Sequence, residues 1–422
     1  MAATVPALGT QFRPKAPQTF EEAGVSQTLV TDLVLKRTLL QGFATIGSLS
    51  GALKLSPAVM EVVFRQLRQQ QLIEIKGMIG NDYQFVLSGA GRTLAADRFQ
   101  INQYASACPV PLAGYHAGAK AQAAKVESDR RSIRRAFNDL VLTDRLLDQL
   151  GPALISQRAI FLYGPSGNGK TSIAERMLRV YQDAVLIPHA IEVDGQIIGV
   201  YDPVVHESLE FMDPDIDPRW VVCRRPCISV GGELVPSMLE LRLDDVSGIY
   251  AAPLQMKANN GLLIIDDFGR QLMSPRDLLN RWIVPLDRRV DYLTLRYGVK
   301  FQIPFEVQVV FSTNLDPHDL ADEAFLRRIQ NKIYVEPVAG EVFDEIFRRV
   351  TASKGVPCEE GSAAFLRELS LREGRRELRA CFPLDICNIL EAVAKYEKRT
   401  VQINREELER AAGMYFAKTE DV

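Results

Sequence analysis

Along the chain, apolar positions recur with a period that changes from segment to segment. Leu29, Leu33, Leu35, Leu39 and Leu40 fall near helical spacing and predict a helix ending at about Gly42. A short helix is predicted over 45–53. Ser56 offers a cap and Pro57 a first-turn residue for a third helix running to about Gln71, with Val59, Val62, Val63 and Leu67 as its buried face. Two strand-like runs follow, Leu72–Ile75 and Tyr83–Leu87, joined by Gly77–Asp82. Before these elements, residues 1–23 carry Pro6, Pro14 and Pro17 with little periodicity, and are expected to form a mobile or loosely docked tail.

From about residue 126 the pattern changes. Ala159–Tyr163, Leu262–Ile265 and Val307–Phe311 are short apolar runs separated by helical stretches, one of which opens at Gly169. Such strands belong to a parallel sheet covered by helices on both faces. Beyond 339, Val342, Ile346 and Val350 mark one stripe of a helical region. The expected division is therefore a tail (1–23), a three-helix and hairpin unit resembling a winged helix (24–100), a linker (101–125), an α/β domain (126–338) and a helical lid (339–422).

Composition narrows the function only slightly. The 422 residues are 47% hydrophobic and 24% charged with a formal net charge of −3, which argues against nucleic-acid attraction by the molecule as a whole but leaves room for a local patch. Six cysteines (Cys108, Cys223, Cys227, Cys358, Cys381, Cys387) form no CxxC pair, and the four histidines are scattered, so no zinc site is expected. The first residues lack a basic-then-apolar leader pattern, and no apolar run approaches the roughly 20 residues of a membrane span. A cytoplasmic protein is expected.

The chemistry is concentrated in Gly164-Pro-Ser-Gly-Asn-Gly-Lys-Thr171, a full match to G-x-x-x-x-G-K-[ST]. A chain that wraps a triphosphate must turn successive N–H groups inward, which asks for glycine at Gly164, Gly167 and Gly169, with Pro165, Ser166 and Asn168 between them. The helix that begins there, Lys170-Thr171-Ser172 onward, adds its positive end. Lys170 is expected on the β- and γ-phosphates of ATP, and the Thr171 hydroxyl on Mg²⁺. Gly261-Leu-Leu-Ile-Ile-Asp-Asp-Phe268 supplies a second element, an apolar strand ending in two carboxylates. Asp266 is assigned to the magnesium shell and Asp267 to activation of the attacking water.

Together these motifs resemble the AAA+ family of ATPases over roughly 126–400. Val309-Val-Phe-Ser-Thr-Asn314 is similar to the family's sensor 1 strand, which implies that Asn314 faces the lytic water or γ-phosphate. Ala324-Phe-Leu-Arg-Arg-Ile329 resembles the arginine-finger segment, which implies that Arg328, with Arg327 as alternate, reaches the nucleotide of a neighbouring subunit. Two positions depart from the family pattern. Asp267 stands where Glu is usual, which implies slow hydrolysis. Phe382-Pro-Leu-Asp-Ile386 places Leu384 where the sensor 2 arginine is usual, with Arg379, one turn earlier on an expected helix, as a substitute.

Arg289–Ile303, two alternating runs around Tyr297-Gly298, is the pattern of a β-hairpin. It looks like the pre-sensor-1 hairpin of the branch that holds MoxR proteins and the activators of the alternative sigma factor. Gly248–Gly261 is similar to the segment before the acidic strand in those activators, whose GAFTGA signature is absent here. The whole chain also resembles a bacterial set of winged-helix AAA+ ATPases. The stretch 183–247 is long for the core fold and includes a hairpin-like run, Ile191–Gly199. Val230-Gly-Gly-Glu233 is either a structural turn or a pore-facing loop.

On this resemblance the chain is expected to bind and hydrolyse Mg·ATP at the subunit interfaces of a homo-oligomer, a hexameric ring, and to remodel an unidentified protein client. Two alternatives stay open. One is a DNA-associated ATPase that reads duplex with the helix carrying Arg65, Gln66 and Arg68. The other is an ATP-gated scaffold with weak turnover. Between 24 and 100 the basic excess is small and the wing loop offers only Lys76 beside Asp82, so protein docking or ring packing is favoured over DNA. The basic run Asp129–Arg135 abuts the ATPase core and is read as a solvated helix face or subunit contact.

Overall fold

The computed structural model describes residues 12–126, 128–210, 213, 215–320, 323–373 and 377–416. At its centre is a five-stranded sheet made of β1 (Ile160–Tyr163), β2 (Cys227–Val230), β3 (Leu262–Ile265), β4 (Gln308–Thr313) and β5 (Asn331–Tyr334), in the spatial order β5-β1-β4-β3-β2. Every pairing in it is parallel. The sequence explains why: all residues of β3 and β4 are buried, as strands covered on both faces must be. One face packs Phe161, Phe268 and Phe311, with ring centroids 5.0–5.9 Å apart, over Trp282 of the helix α2 (Pro275–Arg288). The other face carries Ile160, Leu162, Ile264 and Val310 against Leu150, Leu154, Met177 and Ile173, the last on the helix α1 (Lys170–Arg176). This α/β class with a parallel P-loop-type sheet is the one expected.

The order also positions the chemistry. Two crossovers place β4 between β1 and β3, so the glycine loop after β1, the two aspartates after β3 and Asn314 after β4 share the carboxyl edge. Crevices at that edge, where the strand order reverses, are where open α/β sheets bind ligands.

Much of the length between the glycine loop and β3 forms a second sheet, ordered 242–244, 249–251, 196–199, 190–193, 110–111, beside an antiparallel pair, Ala184–Pro188 with Trp220–Arg224. The hairpin-like run is present: 190–193 and 196–199 pair around Asp194 and Gly195, both at positive φ. Residues 101–125 are not a linker in form. They supply the edge strand Val110–Pro111 and the helix Leu112–Ala121, whose Tyr115 and Ala119 are buried. Their small residues hid this, because helix packing here works by close approach: a Cβ at Gly118 would lie 2.7 Å from the Trp220 ring.

In the N-terminal unit, helices Gln27–Gln41, Ile46–Leu53 and Pro57–Gln69 enclose Leu33, Leu35, Leu53, Val63 and Leu67 with Phe85 of the hairpin Ile73–Ile79/Asp82–Leu87. The turn is shorter than expected, and a further helix, Gly89–Ile101, completes the unit. Val62, assigned to the buried face, is exposed, and Met60 is buried instead. Of the expected tail, residues 1–11 lie outside the described residues, whereas Phe12 packs edge-on against Trp220 at 5.1 Å. The C-terminal helices α3 (Gly340–Lys354), Ser362–Glu373, α4 (Phe382–Tyr396) and Arg405–Tyr415 pack around Phe343, Phe347, Ile386, Leu390 and Leu408. Among the described residues, no helix is long and apolar enough to cross a membrane.

Candidate functional site

The loop between β1 and the helix Lys170–Arg176 takes the shape its glycines permit. Gly164, Gly167 and Gly169 sit at φ 137°, 82° and 81°, conformations that side chains rarely adopt. Gly164 also has no room: a Cβ there would meet the Val335 carbonyl oxygen at 2.4 Å. Lys170 Nζ donates to the carbonyls of Gly164 (2.9 Å) and Pro165 (3.0 Å). The side chain is only 9% exposed, and burial pushes its pKa down, opposed by the charges of Asp266 and Asp267 and reinforced by Arg379.

Thr171 Oγ1 donates to Asp266 Oδ2 at 2.7 Å, across 95 residues of sequence. Asp266 is fixed at the end of β3, where its N–H donates to the Val230 carbonyl (2.8 Å) and its Oδ1 accepts from the Asp267 N–H (3.0 Å). Asp267 follows in the left-handed region at φ 47°. Asn314, at the end of β4, has a buried Oδ1 with no hydrogen-bond partner among the described residues.

These groups converge. Ser166, Gly167, Asn168, Gly169, Lys170, Thr171, Ser172, Asp266, Asp267 and Asn314 all line one cavity of about 660 Å³. Gly164 and Pro165 are not part of its lining. Arg327 and Arg328 do not line it: Arg327 pairs with Glu323 and Arg328 with Asp287 of α2, each at 2.8 Å. Val230 of the candidate loop is buried at the end of β2, and the glycines after it fold back, with Gly231 N–H donating to Glu233 (3.1 Å) and Gly232 accepting from Leu272 N–H (3.3 Å).

The sequence did not reveal the rest of the cavity wall. Leu140, Leu142 and Leu146 on one side and Val342, Ile346 and Val350 of α3 on the other make an apolar compartment beside the polar loop. The α3 stripe was visible in the sequence, but it faces this space while Phe343 and Phe347 fill the helical core. Arg349 ties the two walls, its Nη1 donating to the carbonyls of Asn138 (2.9 Å) and Leu140 (3.4 Å). The C-terminal unit also grips the glycine loop: Cys381 N–H donates to the Gly167 carbonyl (3.0 Å), and Ala380 N–H to Asn168 Oδ1 (3.3 Å). Arg379 precedes α4 instead of lying on a helix, its guanidinium carbon 5.9 Å from the Phe382 ring centroid. Leu384 lines the cavity.

The donor set fits a magnesium nucleotide. An ammonium beside a glycine loop suits a polyphosphate, a hydroxyl and a carboxylate stand together as hard oxygen ligands for a small divalent cation, and the apolar compartment matches a base. Asn314 borders the same cavity, with its buried Oδ1 unpartnered among the described residues.

In comparisons with known proteins, residues 340–414 match a family described as a domain of unknown function (DUF8689). No curated protein matches the chain. Solved structures similar to it include the Holliday junction branch migration motor RuvB of Thermotoga maritima (13% identity, 69% of this chain and 72% of that one, TM-score 0.36). A mutant of the same RuvB is 14% identical over 64% of this chain and 69% of that one, with a TM-score of 0.38. NtrX of Brucella abortus is 14% identical over 64% of this chain and 56% of its own, with a TM-score of 0.40.

Proposed function

We propose that the chain is an ATPase of the AAA+ type that binds Mg·ATP in the cavity at the carboxyl edge of the sheet and hydrolyses it in a ring of identical subunits. The observation that carries this reading is the convergence of Lys170, Thr171, Asp266, Asp267 and Asn314, from the segments that follow three separate strands, on one cavity. Thr171 and Asp266 would hold Mg²⁺, which supplies charge neutralisation at the phosphates. Lys170 and the loop amides orient the γ-phosphoryl group. Asp267 takes a proton from a water held with the help of Asn314, the water oxygen bonds to the γ-phosphorus, and the bridging bond to the β-phosphate breaks to leave ADP and phosphate.

Arg328 lies outside its own cavity, as a residue serving a neighbour's nucleotide must, and this supports an oligomer with composite sites. The hairpin Val290–Thr294/Lys300–Pro304, with Tyr297 exposed at its tip, supports the pre-sensor-1 branch and a protein client contacted there. Protein docking by the N-terminal unit is favoured over DNA by its surface. Met78 and Ile79 at the wing are 57% and 54% exposed, while Arg65 and Lys76 are already paired with Glu61 and Glu74. A scaffold with weak turnover is the second reading, favoured by the short side chain at Asp267.

Steady-state ATPase activity measured across protein concentration tests the ring. Specific activity should rise cooperatively with assembly, and Arg328→Ala should lower turnover by about 10³-fold while sparing ATP affinity. Activity independent of concentration, with Arg328→Ala unimpaired, would refute the composite site.

A further inference from the structure

The turn that carries Asp267 is held by a side chain that the mechanism above does not use. Asp267 sits at φ 47° and Gly269 at φ 106°. A non-glycine residue in the left-handed region costs on the order of 1–2 kcal/mol and persists only where its surroundings over-determine it. From the sheet side, Phe268 N–H donates to the Ser312 carbonyl and Thr313 Oγ1 donates to the Phe268 carbonyl, both at 2.7 Å. Within the turn, Arg270 N–H donates to the Asp267 carbonyl (3.0 Å), and one side-chain amide adds three further bonds. Gln271 Nε2 donates to the carbonyls of Asp266 (2.9 Å) and Asp267 (3.2 Å), and Gln271 Oε1 accepts from the Gly269 N–H (2.8 Å). A single side chain thus satisfies backbone groups before, at and after the strained residue. Gln271 does not line the cavity.

We propose that Gln271 is a positioning residue, which fixes the backbone of Asp267 so that its carboxylate meets the attacking water. This rests on the ATPase reading above. An aspartate has one methylene between backbone and carboxylate, so a displacement of its backbone is passed to the carboxylate almost undiminished. A misplacement of about 1 Å at a reacting group costs on the order of 10²-fold in rate. Lengthening the side chain cannot correct the aim here, and the turn itself must be rigid.

Two variants test it. Gln271→Ala removes all three bonds, whereas Gln271→Glu keeps an acceptor for Gly269 and removes the donor to both carbonyls. Both should lower kcat by about 10- to 100-fold while leaving the Kd for Mg·ATP within about threefold. In the nucleotide-free protein, the Gly269 amide should exchange hydrogen faster in Gln271→Ala than in the wild type. In an Asp267→Asn background, Gln271→Ala should cost less than about threefold in residual rate, because the residue acts through the one already removed. Unchanged kcat, a loss that adds fully to that of Asp267→Asn, or equal exchange at Gly269 would each overturn the assignment. A wild-type chain that neither binds nor hydrolyses ATP would instead bring down the ATPase reading, and the exchange comparison would still report whether Gln271 holds the turn.

Discussion

Replacing Lys170 with Met separates two effects of opposite sign. Its ammonium donates to two loop carbonyls at 2.9 and 3.0 Å, and those donors are the ones that would turn to phosphate oxygens. Hydrogen bonds to charged groups contribute about 1.5–3 kcal/mol each, so two of them amount to roughly 3–6 kcal/mol, or about 10²- to 10⁴-fold in Kd. For the empty fold the sign reverses. Burial holds the folded pKa of Lys170 below its unfolded value. Between those two values the unfolded chain binds more protons, so the stability this group contributes rises with pH; below both, its full penalty is present. Methionine is of similar length and removes the charge. Titration calorimetry with Mg·ATP should therefore show the affinity loss, while scanning calorimetry shows an empty Lys170→Met protein that unfolds no lower than wild type. A Kd within about threefold of wild type, or a loss of affinity that tracks a lowered unfolding temperature, would refute the reasoning.

Other expectations follow from single contacts. A methyl group at Gly167 would stand 2.7 Å from Cys381 Sγ at φ 82°. Gly167→Ala should thus cost about 1–3 kcal/mol in thermal unfolding and weaken ATP binding, whereas Ser166→Ala should not destabilise the fold. Arg219 forms a buried pair with Asp217 at 2.9 Å, and its Nη1 also donates to the Ala23 and Pro109 carbonyls, joining the N-terminal unit to the edge of the second sheet. Arg219→Ala should cost about 3–5 kcal/mol in denaturant unfolding, with a smaller loss when both partners become apolar. Lys36, buried against Asn102, has its pKa pushed down to about 8 by burial. Its folded value lies below its unfolded one, so unfolding free energy should rise between about pH 8 and 10, by up to about 1.4 kcal/mol per pH unit, and Lys36→Met should flatten that rise.

What the sequence revealed depended on how far each signal reaches along the chain. The glycine loop, the acidic strand β3 and Asn314 after β4 are local patterns: a short apolar run ends in residues whose chemistry has no use in a core. Their meeting at one edge follows once a parallel sheet is granted. The hairpins at 194–195 and 297–298 were equally local. The second sheet was not, because Tyr250 pairs with Ile198 in parallel across more than fifty intervening positions, and strands of three or four residues do not announce partners. The helix Leu112–Ala121 was hidden for a different reason. Its packing face carries Gly118 and Ala119 beside Tyr115, too few large apolar residues to show a period. Likewise Val342, Ile346 and Val350 have the spacing of a core stripe, and only the fold reveals that they border a cavity. Gln271 had no signal at all, since a side chain that satisfies its own turn looks like any polar loop residue.

The central claim is that Thr171 and Asp266 hold a divalent metal against phosphates gripped by Lys170. Mn²⁺ substituted for Mg²⁺ tests this directly by electron paramagnetic and double resonance spectroscopy. With ATP present, the wild-type chain should bind one Mn²⁺ whose spectrum shows coupling to phosphorus, and Asp266→Asn should weaken that binding by at least about tenfold. Bound Mn²⁺ without phosphorus coupling, or ATP binding indifferent to the metal and to Asp266→Asn, would contradict the account.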